Sequence, residues 1–250
     1  MKNLNLLLIL LLLVSACNST PKNKAKSKLS AGDSKTINQH LVMANEYILE
    51  SDFENGIVEY NAAIEEEPEN AKAFYGLAQI NFIQGNFDEA MVNYNKAIAI
   101  NPEFVLALYG RGTLKSFQGN QKGGIADMDA ALLRKPDFLM AAFSKATFRI
   151  NQNDVDASIE SLTQSVECNR RFENSYYYRG LCYGSKKLYD SAIVDFTKAI
   201  ELNPERAQTY VYRGLYQYTL GNKKGACVDF QTANNLGDTA ALTYLKLYCK

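Results

Sequence analysis

Residues 174–204, NSYYYRGLCYGSKKLYDSAIVDFTKAIELNP, decide the fold. Small residues at Gly180, Ala192 and Ala199, the bulky Phe196 among them and the closing Pro204 mark out two short amphipathic helices joined by a turn. Much of the pattern returns 34 residues further on, and a fixed internal period overrides any domain count drawn from length.

Working outward from that stretch, positions 34 residues apart fall on regular lattices. Pro68, Pro102, Pro136 and Pro204 share one, where a helix must end because Pro lacks an N–H and restrains the residue before it. Three lattices hold small residues, which let helix axes approach closely. The first runs Ala44, Ala78, Gly112, Ala146, Gly180 and Gly214. The second runs Gly56, Ala90, Gly124, Ser158, Ala192 and Ala226, and the third Ala63, Ala97, Ala131, Ser165, Ala199 and Ala233. A bulky lattice holds Tyr60, Tyr94, Met128, Leu162, Phe196 and Phe230. Gly85, Gly119 and Gly221 fall where the two helices of a repeat must turn, and a left-handed backbone is easiest for Gly. The repeat over 139–172 is the weakest, yet Ala142, Ala146, Ile159 and Leu162 keep its apolar stripe.

This pattern resembles the tetratricopeptide repeat, with small residues at the eighth, twentieth and twenty-seventh positions, a bulky one at the twenty-fourth and Pro near the end. The resemblance implies an all-α, right-handed superhelical solenoid of six helix-turn-helix repeats over residues 37–240. Residues 238–250 form a short amphipathic segment, read as a capping helix that covers the last apolar face.

Ahead of the repeats stands a leader of another kind. Residues 1–17 combine the basic Lys2, an apolar run from Leu6 to Val14 and small residues before Cys17, which reads as an export signal too short to span a bilayer. Val14-Ser15-Ala16-Cys17 resembles the lipobox of bacterial lipoproteins, which implies lipidation of Cys17 and membrane attachment through its acyl chains. By the sorting rule known for such proteins, Asn18 directs the chain to the outer membrane, facing the periplasm. Residues 18–36 are rich in Lys, Ser and Asn and read as a flexible basic tether. Six lysines and one acid precede residue 37, leaving 21 basic against 26 acidic residues after it, a mildly acidic body that speaks against nucleic acid.

Reactive constellations are missing from the sequence. His40 is the sole histidine and reads as a solvated residue near the first helix start, so no multi-His metal site and no His-based catalyst is expected from one chain. No phosphate loop, nucleophile elbow or paired Cys-x-x-Cys occurs. The expectation is a protein that is not an enzyme and needs no cofactor or metal. Of the later cysteines, Cys227 and Cys249 lie nearly level about Gly237 in an antiparallel pair and are expected to bridge, while Cys168 and Cys182 read as free thiols.

Arg111, Arg179 and Arg213 share the seventh position, and the same three repeats carry Asp127, Asp195 and Asp229 at the twenty-third. That coincidence predicts an ion pair between the two helices of each of these repeats. The fifth-position lattice is aromatic through Tyr75, Tyr109, Phe143 and Tyr177, with Phe82, Tyr178, Tyr212 and Tyr218 on nearby positions of the first helices. In the family this position lines the concave groove, so the resemblance implies a partner-binding row for a protein or peptide, the other reading being that these rings are partly buried against the second helices. The Lys and Asn with which some relatives clamp a peptide carboxylate are replaced here by Tyr75 with Gln79 and Tyr109 with Thr113. The function expected is a membrane-anchored interaction scaffold or adaptor. The alternative is a lipoprotein that stacks carbohydrate or peptidoglycan fragments on its tyrosines.

Overall fold

The computed structural model describes residues 36–249, so the export signal, Cys17, nearly all of the tether and Lys250 lie outside the described residues. Among the described residues there are thirteen α-helices and no strand. They are α1 (Ile37–Leu49), α2 (Phe53–Glu66), α3 (Ala71–Gln84), α4 (Phe87–Ile100), α5 (Val105–Phe117), α6 (Gln121–Arg134) and α7 (Leu139–Asn151). Then follow α8 (Val155–Cys168), α9 (Glu173–Ser185), α10 (Tyr189–Leu202), α11 (Ala207–Thr219), α12 (Lys223–Asn235) and α13 (Ala241–Tyr248). No described helix is long and apolar enough to cross a membrane.

Local chemistry starts and stops these helices. Thr36 and Gln39 form a reciprocal capping box on α1, with Thr36 N donating to Gln39 Oε1 at 2.6 Å. Asp52, Asn70, Asn120, Asp154 and Asn222 each accept a backbone N–H from the first turn of the helix they precede. At the turn inside each repeat the backbone is left-handed every time. Gly85, Gly119 and Gly221 have φ of 82°, 89° and 88°, and Ser51, Asn153 and Lys187 are held at 61°, 60° and 61° in the other three repeats. The packing of the two helices thus imposes on three side-chain-bearing residues a conformation the sequence flags only where Gly stands.

The chain divides into two compact units, residues up to Leu114 and residues from Lys115 on, a division the 34-residue lattice does not announce. In the first unit α1 packs on α2, α2 on α3 and α3 on α4, and the first helices α1 and α3 also touch. In the second, α6 to α13 stack in chain order as antiparallel neighbours, and α9 touches α11. First helices therefore form an inner row within each unit, and second helices an outer one.

The lattices account for the core. Ala44, Ala78 and Ala146 are wholly buried, as are Ala63, Ala97, Ala131, Ala199 and Ala233. The bulky lattice is buried too, with Tyr60 and Tyr94 only 1% exposed. Burying such an aromatic side chain contributes about 1.5–3 kcal/mol. The weak fourth repeat keeps the same geometry because its hydroxyls find partners: Ser165 and Ser175 share a hydrogen bond of 2.6 Å, and Ser158 Oγ donates to the Asp154 carbonyl at 2.6 Å.

Residues at the sixth position respond to the bulky ring of the preceding repeat. A Cβ on Gly76 would lie 2.1 Å from Tyr60 Cζ, and one on Gly110 would lie 2.5 Å from Tyr94 Cε1. Glycine is needed there because a tyrosine ring crosses its backbone. Tyr60 reaches far enough for its hydroxyl to donate to Asn45 Oδ1 at 2.8 Å. Where the bulky residue is Met128, Leu162 or Phe196, the sixth position of the next repeat holds Ser144, Tyr178 or Tyr212 instead.

Candidate functional site

The aromatic row of the first helices is mostly packing. Phe82 is 8% exposed, Tyr109 2%, Phe143 9% and Tyr177 9%, which corrects the expectation that these rings face a partner. Each is covered by neighbouring helices: Phe143 meets Phe172 and Tyr178 edge-on at 5.1 and 5.6 Å. Tyr177 meets Tyr178, Phe196 and Tyr212 at 5.3, 6.0 and 6.2 Å, and the Arg206 guanidinium lies 3.9 Å from its ring centroid. Burial pushes the Tyr177 hydroxyl up to about 12. Tyr218 is engaged as well, its ring tilted against Tyr248 of α13 at 4.3 Å. Tyr75, half-buried, sits 5.1 Å from Phe104. On the inner row of the second unit Tyr178 and Tyr212 are half-buried, Tyr212 stacked on Phe196 at 5.9 Å, one turn before the half-buried Leu181 and Leu215.

A ladder of polar links holds these helices in place. Arg179 donates to both oxygens of Asp195 at 2.8 Å, and Arg213 to both oxygens of Asp229 at 2.8 and 2.7 Å. The paired carboxylates hold both guanidinium pKa values above their usual range. In the third repeat Asp127 takes the Lys115 ammonium at 2.8 Å. The sequence reading missed a second link, from the seventh position back to the twenty-fifth of the repeat before. Arg111 donates to Asn95 at 2.9 Å, Lys145 pairs with Asp129 at 2.6 Å, Arg179 donates to Thr163 at 3.1 Å and Arg213 to Thr197 at 3.2 Å. All four span 16 residues, a spacing legible in the sequence once links between repeats are sought as well as links within them.

His40 also departs from its expected role. It is largely buried, with Nδ1 2.6 Å from Glu59 Oε2 at the twenty-third position, in a repeat whose seventh position is Met43. Cys227 and Cys249 are disulfide-bonded with Cα atoms 5.6 Å apart, tying α13 to α12, and Phe230 stacks on Tyr244 of α13 at 5.3 Å. Cys168 and Cys182 are free, and burial pushes the Cys182 thiol up to about 11, which leaves it unreactive near neutrality. Among the described residues no cluster of three or more His, Cys, Asp or Glu could hold a metal ion. An open polar cleft of about 410 Å³ lies over α8, lined by Lys145, Glu160, Ser161, Thr163, Gln164 and Glu167.

The family model of the tetratricopeptide repeat matches residues 71–104 and 174–206. No curated protein sequence matches the chain. Among solved structures, the chain is similar to the pilF protein of Pseudomonas aeruginosa at 14% identity and a TM-score of 0.72, covering 84% of this chain and 96% of that one. It is similar to PilW, described as a widely conserved type IV pilus biogenesis factor, at 18% identity and a TM-score of 0.67, covering 85% and 99%. YrrB, described as a tetratricopeptide-repeat protein with an unusual peptide-binding site, is 20% identical with a TM-score of 0.65, covering 75% and 97%. At these identities the likeness establishes the fold: an all-α helical repeat of the solenoid class.

Proposed function

We propose that the chain is a non-catalytic interaction scaffold that takes a protein or peptide segment on the inner face of its first helices. The observation that carries this reading is the pair Tyr178 and Tyr212 with Leu181 and Leu215, half-buried on helices that the Arg179 and Arg213 links tie to their neighbours. Such a surface offers broad contact area at little cost in ordering, which suits holding and not reacting. Repeats of this family serve as protein and peptide binders, and no enzymatic family accompanies the match. A saccharide stacked on the tyrosines is the weaker reading, because the Tyr177 face is taken by Arg206 and the Tyr109 ring is buried.

Attachment to the outer membrane through lipid on Cys17, with the repeats held off the bilayer by residues 18–36, completes the proposal. Capture with the full chain, comparing the wild type with a Tyr178→Ala, Tyr212→Ala variant, tests the surface: a protein partner present with the first is lost with the second. An unchanged set of captured proteins refutes it. Membrane attachment is tested apart from this, by release of a Cys17→Ser variant from the membrane fraction.

A further inference from the structure

We infer that the partner segment taken by the second unit is an uncharged stretch of polypeptide, anchored by aromatic or aliphatic side chains; this rests on the reading of the inner face just given. Helices α7, α9 and α11 carry five charged residues in all: Lys145, Arg149, Glu173, Arg179 and Arg213. Every one is spent inside the fold. Lys145 pairs with Asp129 at 2.6 Å, Arg179 with Asp195 at 2.8 Å and Arg213 with Asp229 at 2.7 Å. Arg149 donates to the Ala157 carbonyl at 3.1 Å and lies 3.6 Å from Glu160. Glu173 accepts from Arg206 at 2.8 Å, and the same guanidinium covers Tyr177, so even the charge at the helix starts is cancelled locally.

The inner face itself is neutral. At the second, sixth, ninth and thirteenth positions of these helices stand Met140, Tyr178, Leu181, Tyr212 and Leu215, and every other residue there is Ser, Thr, Asn or Gln. A charged side chain pressed onto this face would shed water with no counter-ion to meet it, and that cost is several kcal/mol for a buried ion. An uncharged segment meets apolar rings and short amides and hydroxyls, the latter matched to backbone N–H and C=O groups. Selection against charge is therefore built into the surface, and screening by salt has nothing to act on.

The experiment is selection of random peptides of about a dozen residues on the full chain, followed by affinity measurement of the survivors at about 0.05 M and about 0.5 M NaCl. The expected peptides are poor in Asp, Glu, Lys and Arg at their anchor positions and bind within about twofold at the two salts. Placing Glu or Lys at an anchor, or Tyr178→Ala or Tyr212→Ala in the protein, weakens them about tenfold or more. Peptides that share a charged anchor, or lose about tenfold or more in affinity at high salt, overturn this inference while leaving the binding face intact. Failure to select any peptide that depends on Tyr178 and Tyr212 overturns both the inference and the reading beneath it.

Discussion

Replacing Gly76 with Ala sets two effects of opposite sign against each other. Gly in a helix interior costs about 0.5–1 kcal/mol relative to Ala, so on propensity alone Gly76→Ala would stabilise α3 by that amount. The added methyl, however, would stand 2.1 Å from Tyr60 Cζ and 2.4 Å from Cε1, inside any allowed contact. The ring cannot swing aside, because Tyr60 is 1% exposed and its hydroxyl is held by Asn45 at 2.8 Å. Overpacking of this kind costs about 1–3 kcal/mol, and the net expectation is a loss of about 1–2 kcal/mol, read as a lower urea midpoint by circular dichroism. Tyr60→Leu removes the obstacle and costs about 2 kcal/mol for the lost ring and hydrogen bond. With both changes, stability should match Tyr60→Leu alone or exceed it slightly, a favourable coupling of about 2 kcal/mol. The protein already contains that arrangement, since Leu162 stands one repeat before Tyr178 in the same register. A Gly76→Ala protein more stable than the wild type, or losses that simply add in the double variant, would refute the steric argument.

Three further outcomes follow from the same structure. Lys187→Gly should stabilise by about 1 kcal/mol in urea unfolding, because Lys187 holds a φ of 61° that costs a residue with a Cβ about that much; a loss of stability would contradict the strain. Arg213→Met should cost about 3 kcal/mol by leaving the Asp229 carboxylate, 4% exposed, without its bidentate partner, whereas Lys198→Met, at an exposed pair with Glu201, should move the midpoint by no more than about 0.5 kcal/mol. Cys182, raised from 9.0 to about 11 by burial, gives a pH dependence of definite sign: the unfolded thiol ionises first, so this contribution is intact below pH 9 and drains away as pH climbs towards 11. Comparing the wild type with Cys182→Ala across that window should show the wild type losing more; equal slopes would rule it out.

Periodicity made the helices and their packing legible: every small and bulky lattice position named from the sequence is buried. The turns were half legible, since Gly85, Gly119 and Gly221 advertise their conformation while Ser51, Asn153 and Lys187 take it only because packing requires it. The fate of the aromatic residues was not legible, because a position that faces inward along the row of first helices can still be roofed by the next helix. Tyr177 shows this, its face closed by Arg206 from the start of α11. His40 was misread for a related reason: its partner Glu59 is 19 residues away, a separation that no repeat lattice flags. The division at Leu114 has no counterpart in the lattice, which records what each repeat needs and not how many neighbours cohere.

The link across 16 residues bears on how such a chain can change its length. Each cation at a seventh position finds its acceptor in the repeat immediately before, at Asn95, Asp129, Thr163 or Thr197. Copying any of the third to sixth repeats in tandem sets a cation before an acceptor at the new seam, whereas Met43 and Leu77 give the first two repeats no cation to place there. Arg179 and Arg213, which both reach back to a threonine, are interchangeable in this sense, so the fifth repeat could be doubled without leaving a guanidinium stranded. Growth of the array by duplicating that repeat then needs no new cation or acceptor at the join, and the reach of its inner face becomes a matter of repeat number.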